Sequence, residues 1–184
     1  VFLDFADPMH SSLVFPFTAQ YYFESPMPDI TVTGEYALSA ADGGSALRIT
    51  APGISADNRF AGRNTSHYAG VEIRQTTLEA NGFTAMRGED RFSFRLYNDA
   101  PMTQLVCVEV HKSDGAFFSE YRRLAAQETY LFDMTFAELN AGLGAGNTEQ
   151  QGTGSATKVV IKWLLSVGDG AFELYDMRLT EAQA

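Results

Sequence analysis

Apolar and polar residues alternate along most of this chain in short runs, and turn residues rather than helical spacing separate the runs. In Arg91-Phe92-Ser93-Phe94-Arg95-Leu96-Tyr97, residues Phe92, Phe94 and Leu96 fall on one side and Arg91, Ser93, Arg95 and Tyr97 on the other. That is the two-residue period of a strand. The same reading predicts strands at 2–6, 30–38, 45–51, 69–75, 91–97, 103–112, 116–123, 128–133, 158–166 and 171–179. Short strands in succession, with no fixed repeat, predict an all-β sandwich or barrel. Asp114-Gly115 predicts an antiparallel hairpin between 103–112 and 116–123, and Gly168-Asp169-Gly170 predicts another between the last two strands.

Two stretches resist alternation. Residues 8–29 carry Pro8, Pro16, Pro26 and Pro28 and read as an irregular wrap with room for one edge strand. Residues 141–157, rich in Gly, Ser, Thr and Gln, read as a surface loop. Just ahead of that loop, Thr135 is followed three positions later by Glu138, the form of a capping box, so one helical turn is predicted there.

Composition narrows the class. At 184 residues and 45% hydrophobic content the chain is long enough for one well-buried domain, here taken as 1–184, and too short for two comfortable ones. The 14 Phe and 8 Tyr beside 16 Gly and one Trp favour half-buried strands over helices. A formal net charge of −10 makes nucleic acid and anionic membranes poor partners, because both demand clustered cations. No run approaches the roughly 18 to 20 apolar residues of a membrane span. The first residues read as a strand, so any secretion leader is expected outside this sequence. Cys107 can form no internal disulfide and reads as a small apolar strand residue, which does not exclude export.

Acids inside apolar strands are the feature that alternation does not explain. Val1-Phe2-Leu3-Asp4-Phe5-Ala6-Asp7 opens the chain, and Ala171-Phe172-Glu173-Leu174-Tyr175-Asp176-Met177-Arg178-Leu179 forms its last strand. A carboxylate buried there needs a pair or a cation, since alone it would cost several kcal/mol. Adjacent terminal strands sharing a cation site are therefore expected, with Asp4, Asp7 and Asp176 supplying the hard oxygen ligands that Ca²⁺ prefers. The competing reading has Asp4 capping a turn, Asp7 preceding Pro8 in a loop, and Asp176 paired with Arg48 or Arg178.

Taken together, "FLDFAD", "GGSALRIT" from Gly43 onward, and "FELYDMRL" resemble the pattern of secreted carbohydrate-binding modules of the galactose-binding-like type. The resemblance spans nearly the whole chain. It implies a β-sandwich (jelly roll) of two antiparallel sheets, often with a structural Ca²⁺ between the terminal strands. It also implies a function: non-catalytic binding of a polysaccharide or oligosaccharide, targeting an attached glycoside hydrolase or lyase in a secreted or periplasmic bacterial protein. In such modules the last strand often carries two consecutive aspartates, and Tyr175 stands in the first of those places.

The expected ligand face follows from alternation. If Val106, Val108 and Val110 face the core, Leu105, Cys107, Glu109 and His111 face outward. Neighbouring strands add Glu72, Arg74, Arg95 and Tyr97, and the segment Arg63–Tyr68 adds Asn64, His67 and Tyr68. Sugar recognition uses this mixture, a ring against the C–H face of the sugar and charged groups on its hydroxyls. An ordinary solvated face with cross-strand Glu and Arg pairs would look the same. Trp163, a natural stacking platform, shares its side with Val159, Ile161 and Leu165 and reads as core, which turns Lys162 the other way.

Two further functions remain open. A stand-alone jelly-roll lyase would need an acid and base near a cation, for which His111, Tyr97, Arg74, Arg95 and Gln75 are candidates. A glycoside hydrolase would need two placed carboxylates, for which Glu72 and Glu109 are candidates. The third is a protein-interaction sandwich, since a fold does not decide a function.

Overall fold

The computed structural model describes residues 2–21, 30–38, 44–53, 66–82, 86–115, 117–140, 155–165 and 169–180. In chain order the elements are β1 (Phe2–Leu3), α1 (Pro8–Ser12), β2 (Val14–Tyr21), β3 (Thr31–Leu38), β4 (Ser45–Ala51), β5 (Ser66–Arg74), α2 (Gln75–Ala80), β6 (Arg91–Asn98), β7 (Gln104–Lys112), β8 (Phe117–Leu124), β9 (Thr129–Thr135), α3 (Phe136–Asn140), β10 (Ala156–Leu164) and β11 (Gly170–Thr180). Two antiparallel sheets stack as a sandwich. The first runs β3-β4-β11-β6-β9 and the second β2-β5-β10-β7-β8. β1 follows β4 along the same edge of β11, pairing Phe2 with Arg178 and Leu3 with Met177. The terminal strands are thus adjacent, as their acids led us to expect.

Alternation produces the core directly. β6 sends Phe92, Phe94 and Leu96 inward, β7 sends Val106, Val108 and Val110, and β10 sends Val159, Ile161 and Trp163, all fully buried. Trp163 from the second sheet meets Phe172 from the first at 4.6 Å between centroids, and Phe94 stacks on Phe132 at 5.0 Å. Such pairs add about 0.5–1.5 kcal/mol each beyond area burial. Trp163 is core, in line with its period.

Among the described strands, only β3–β4 and β7–β8 are hairpins within one sheet. β10 and β11 are not paired: β10 lies between β5 and β7, and β11 between β4 and β6. The turn residues Gly168-Asp169-Gly170 mark a crossover between sheets, because turn chemistry says where a chain reverses and not which neighbour it then meets. Gly168 itself, like Gly43, Asn64, Pro26, Pro28 and most of 141–157, lies outside the described residues.

Crossovers need a pin, and Asn98 is one. Fully buried at the end of β6, its Nδ2 donates to the carbonyls of Met102, Leu124 and Ala125 at 2.9, 3.1 and 3.0 Å, and its Oδ1 accepts from the Ala100 N–H at 3.0 Å. One amide thereby ties the β6–β7 connection to the β8–β9 connection. At α3 the capping box forms in full: Glu138 Oε2 accepts from Thr135 N at 2.7 Å, and Thr135 Oγ1 accepts from Glu138 N at 3.0 Å. Among the described residues, no helix is long and apolar enough to cross a membrane.

Candidate functional site

The outward side of the second sheet carries the candidate site. Its cross-strand rows follow from the register. One row reads Phe15, Glu72, Val160, Glu109, Ser119 across β2, β5, β10, β7 and β8. The next reads Phe17, Gly70, Lys162, Cys107, Tyr121, and beside the first lie Arg74, Lys158 and His111 on β5, β10 and β7. Period two places all of these opposite the core positions of the same strands.

Two carboxylates organise the face, each bonded to two basic side chains. Glu72 Oε1 accepts from Arg74 Nε at 2.5 Å, and its Oε2 lies 3.2 Å from Lys158 Nζ. Glu109 Oε1 lies 2.5 Å from Lys162 Nζ, and its Oε2 lies 3.0 Å from His111 Nε2. Burial is the largest single influence on Glu109 and pushes its carboxyl up, but the bonds from His111 and Lys162 together outweigh it and hold the group below its ordinary value. Glu109 is therefore an ionised acceptor at neutral pH.

Rings lie over the cations. The Lys162 ammonium sits 4.5 Å from the Tyr68 centroid and 5.8 Å from that of Phe17, and the Arg74 guanidinium sits 4.5 Å over Phe15. Lys162 is only 1% exposed. Gly70 makes this arrangement possible, since a Cβ there would come 2.6 Å from the Cα of Lys162. Cys107 is buried beside them, and burial pushes its thiol up to about 12, so it stays protonated and unreactive. Tyr121, by contrast, is 53% exposed at the rim.

Of the residues expected from sequence, Tyr68, Glu72, Arg74, Glu109 and His111 share this face. Arg95 and Tyr97 do not. They sit on β6 in the first sheet, because alternation fixes the side of a strand but not the sheet to which the strand belongs. There Arg95 is bonded to Asp176 and stacks 4.3 Å over Tyr175, while Tyr97 is buried with Tyr175 and Ala46. The His111, Tyr97, Arg74, Arg95, Gln75 set considered for a lyase is consequently split between opposite faces. Burial, followed by the charges of Asp99 and Glu173, also raises the Tyr97 phenol, the wrong direction for a base. His67 turns inward on β5, where burial lowers its pKa.

The three aspartates expected to hold calcium have separate partners. Asp4 Oδ1 accepts from Ala6 N and lies 3.0 Å from His10 Nδ1. Asp7 caps α1 by accepting from Met9 N at 2.9 Å, ahead of Pro8 in the first turn. Asp176 sits at a bulge in β11 with φ of 51°, a left-handed conformation that Asp tolerates, and pairs with Arg95 rather than Arg48 or Arg178. Arg48 instead bridges Asp99 at 2.6 Å and Glu173 at 3.2 Å. Among the described residues, no group of three or more His, Cys, Asp or Glu side chains is placed to hold a metal ion.

Sequence reasoning missed three parts of the face: Phe15, Phe17 and the structural need for Gly70. The signal for the first two was present in Phe15-Pro16-Phe17, an alternating pair of rings, but the proline masked it.

No family model matches the chain, and no curated protein matches it by sequence. Solved structures match in fold. The C-terminal family 22 carbohydrate-binding module of Clostridium thermocellum Xyn10B aligns at a TM-score of 0.51 and 9% identity, over 99% of this chain and 93% of that one. TmCBM27, a carbohydrate-binding module whose structure concerns specific mannan recognition, aligns at 0.50 and 11%, over 100% of this chain and 96% of that one. The agarase AgWH50C aligns at 0.56 and 11%, over 98% of this chain but 26% of the agarase, so this chain spans about a quarter of that enzyme. At such identities it is the architecture that is shared: the chain has the two-sheet jelly-roll fold of these carbohydrate-binding modules.

Proposed function

We propose that this domain binds a polysaccharide or oligosaccharide, without catalysing its cleavage, on the outward face of β5, β10 and β7. One observation carries the reading. Tyr68, Phe17 and Tyr121 ring a floor of bonded acids and bases, so apolar faces for sugar C–H groups stand beside oriented acceptors and donors for hydroxyls. The shared fold with binding modules supports it.

Hydrolysis is less well served by the same groups. Glu72 and Glu109 share one row with Val160 between them, their strands about 10 Å apart by two inter-strand steps. Whatever the separation of the carboxyl groups, one member of a hydrolytic pair must be a proton donor. Both carboxylates are instead bonded to cations, and Glu109 is held ionised.

Residence within a larger secreted polysaccharide-degrading enzyme belongs to this proposal, supported by the agarase, in which a matching fold forms part of a longer chain. Binding would then raise the local concentration of the catalytic domain at its substrate. The test is affinity electrophoresis against agarose, mannan, xylan, mixed-linkage glucan and alginate, with product analysis in parallel. Retardation without new reducing ends or unsaturated products is expected. Turnover, or capture of no glycan, would overturn the proposal.

A further inference from the structure

The charge on the candidate face runs against that of the whole chain. Across the outward positions of β2, β5, β10, β7 and β8, Arg74, Lys158, Lys162 and Arg123 stand against only Glu72 and Glu109, in a chain whose formal net charge is −10. The distribution within the face is uneven too. Lys162 is sunk beneath rings and committed to Glu109. Arg74, 48% exposed, and the partly exposed Lys158 and His111 form one row over three adjacent strands, with neighbours about 5 Å apart by strand spacing.

This row is pre-organised. The Arg74 guanidinium rests on the Phe15 ring and is fixed in its plane by Glu72, which engages its Nε and Nη2 among five N–H donors. Lys158 is steered from the other side by the second oxygen of Glu72. Two cations on one carboxylate leave a net positive site whose members have already lost most of their rotamer freedom, the condition under which a charged ligand binds without a large ordering cost.

Resting on the binding reading above, we infer that the glycan is anionic, carrying uronate carboxylates or sulfate esters, and that one anionic group seats on the Arg74–Lys158–His111 row while the neutral part of the chain lies against Tyr68, Phe17 and Tyr121. Carboxylate and sulfate share the chemistry of a multi-oxygen anion accepting several N–H donors, so the probes separate them.

Matched polymers give the test: polymannuronate against mannan, and a sulfated galactan against agarose, each titrated calorimetrically into the whole chain at low and high salt. The anionic member of at least one pair should bind, the neutral member should bind at least roughly tenfold more weakly, and added salt should weaken the anionic complex. Lys158→Ala and Arg74→Gln should each cost roughly tenfold in affinity, the scale of one charge-assisted hydrogen bond, with a native amide spectrum at the assay temperature as the fold control, since each leaves the buried Glu72 with one cation. Carboxylate preference or sulfate preference names the group. Neutral glycan bound as tightly as its anionic partner, without salt dependence, overturns the anionic assignment and leaves the binding reading intact. No binding to any of the four overturns the anionic assignment, and the binding reading falls with it only if xylan and mixed-linkage glucan are not bound either. Equal affinity for polyglutamate, a polyanion without sugar, also overturns it, since charge alone would then account for capture.

Discussion

The two outward faces of the sandwich are built from the same residue types and put them to different ends. On the first sheet Arg48 bridges Asp99 and Glu173, Arg95 pairs with Asp176, Arg91 pairs with Asp133, and Tyr97 and Tyr175 are buried against Ala46. Cations there are matched by acids and rings are packed away. On the second sheet Glu72 holds the two cations Arg74 and Lys158, Glu109 holds Lys162 and the His111 imidazole, Tyr121 projects, and Tyr68 covers a buried ion pair. The same chemistry is self-neutralised on the first sheet and leaves charge and ring exposed on the second, which is why the binding proposal rests on the second. Partner count and exposure, rather than residue type, separate the two.

Removing Glu109 should have the largest effect. Glu109→Gln leaves the Lys162 ammonium buried without its carboxylate, at an expected cost of about 3–5 kcal/mol in a denaturant melt. The sign of its pH dependence also follows. A carboxyl depressed in the folded state stabilises above its ordinary value of 4.5 and loses that contribution as pH falls through the lower folded value. The parent should therefore weaken on acidification below about 4.5, and Glu109→Gln should weaken less steeply there. A cost no greater than that of a surface pair would show the pair to be solvated.

Tyr175→Ala probes the other face. At 2% exposure Tyr175 is packed, so its truncation should cost about 3 kcal/mol of stability and leave glycan affinity untouched. Tyr121→Ala should do the reverse, costing about 1–3 kcal/mol of binding and little stability. If the two substitutions exchanged outcomes, the roles given to the faces would be reversed. Smallest of all is the expected effect of chelation. Asp4, Asp7 and Asp176 each have a protein partner, so a chelator should leave the melting temperature unmoved. A fall restored by added Ca²⁺ would instead establish the shared site that the terminal acids suggest.

Strand positions were legible because alternation is a local property. The expected 45–51 is β4 itself, and the Thr135–Glu138 box caps α3 as its spacing requires. What failed was non-local. The one edge strand allowed for within 8–29 is β2, which among the described strands pairs with β5 alone, so the missing N–H of Pro16 is tolerated; what sequence did not reveal is that its rings Phe15 and Phe17 join the face of β5 and β10. Arg95 and Tyr97 were grouped with Glu109 because polar positions on different strands carry no mark of their sheet. As the alternative to holding a cation, Asp176 was expected to pair with Arg48 or Arg178, whereas the bulge at that residue turns it toward Arg95. Asn98 gave no signal at all, since its value lies in four backbone groups brought to it by two connections.

The most direct test of the central claim is amide chemical-shift mapping of the isotope-labelled 20.2 kDa chain, titrated with an oligosaccharide of whichever glycan the electrophoresis screen retains. Perturbations are expected to cluster at Tyr68, Gly70, Glu109, His111, Lys162 and Tyr121, with the first sheet silent. A cluster at Arg95, Tyr97 and Tyr175, with β5, β7 and β10 unmoved, would contradict the account.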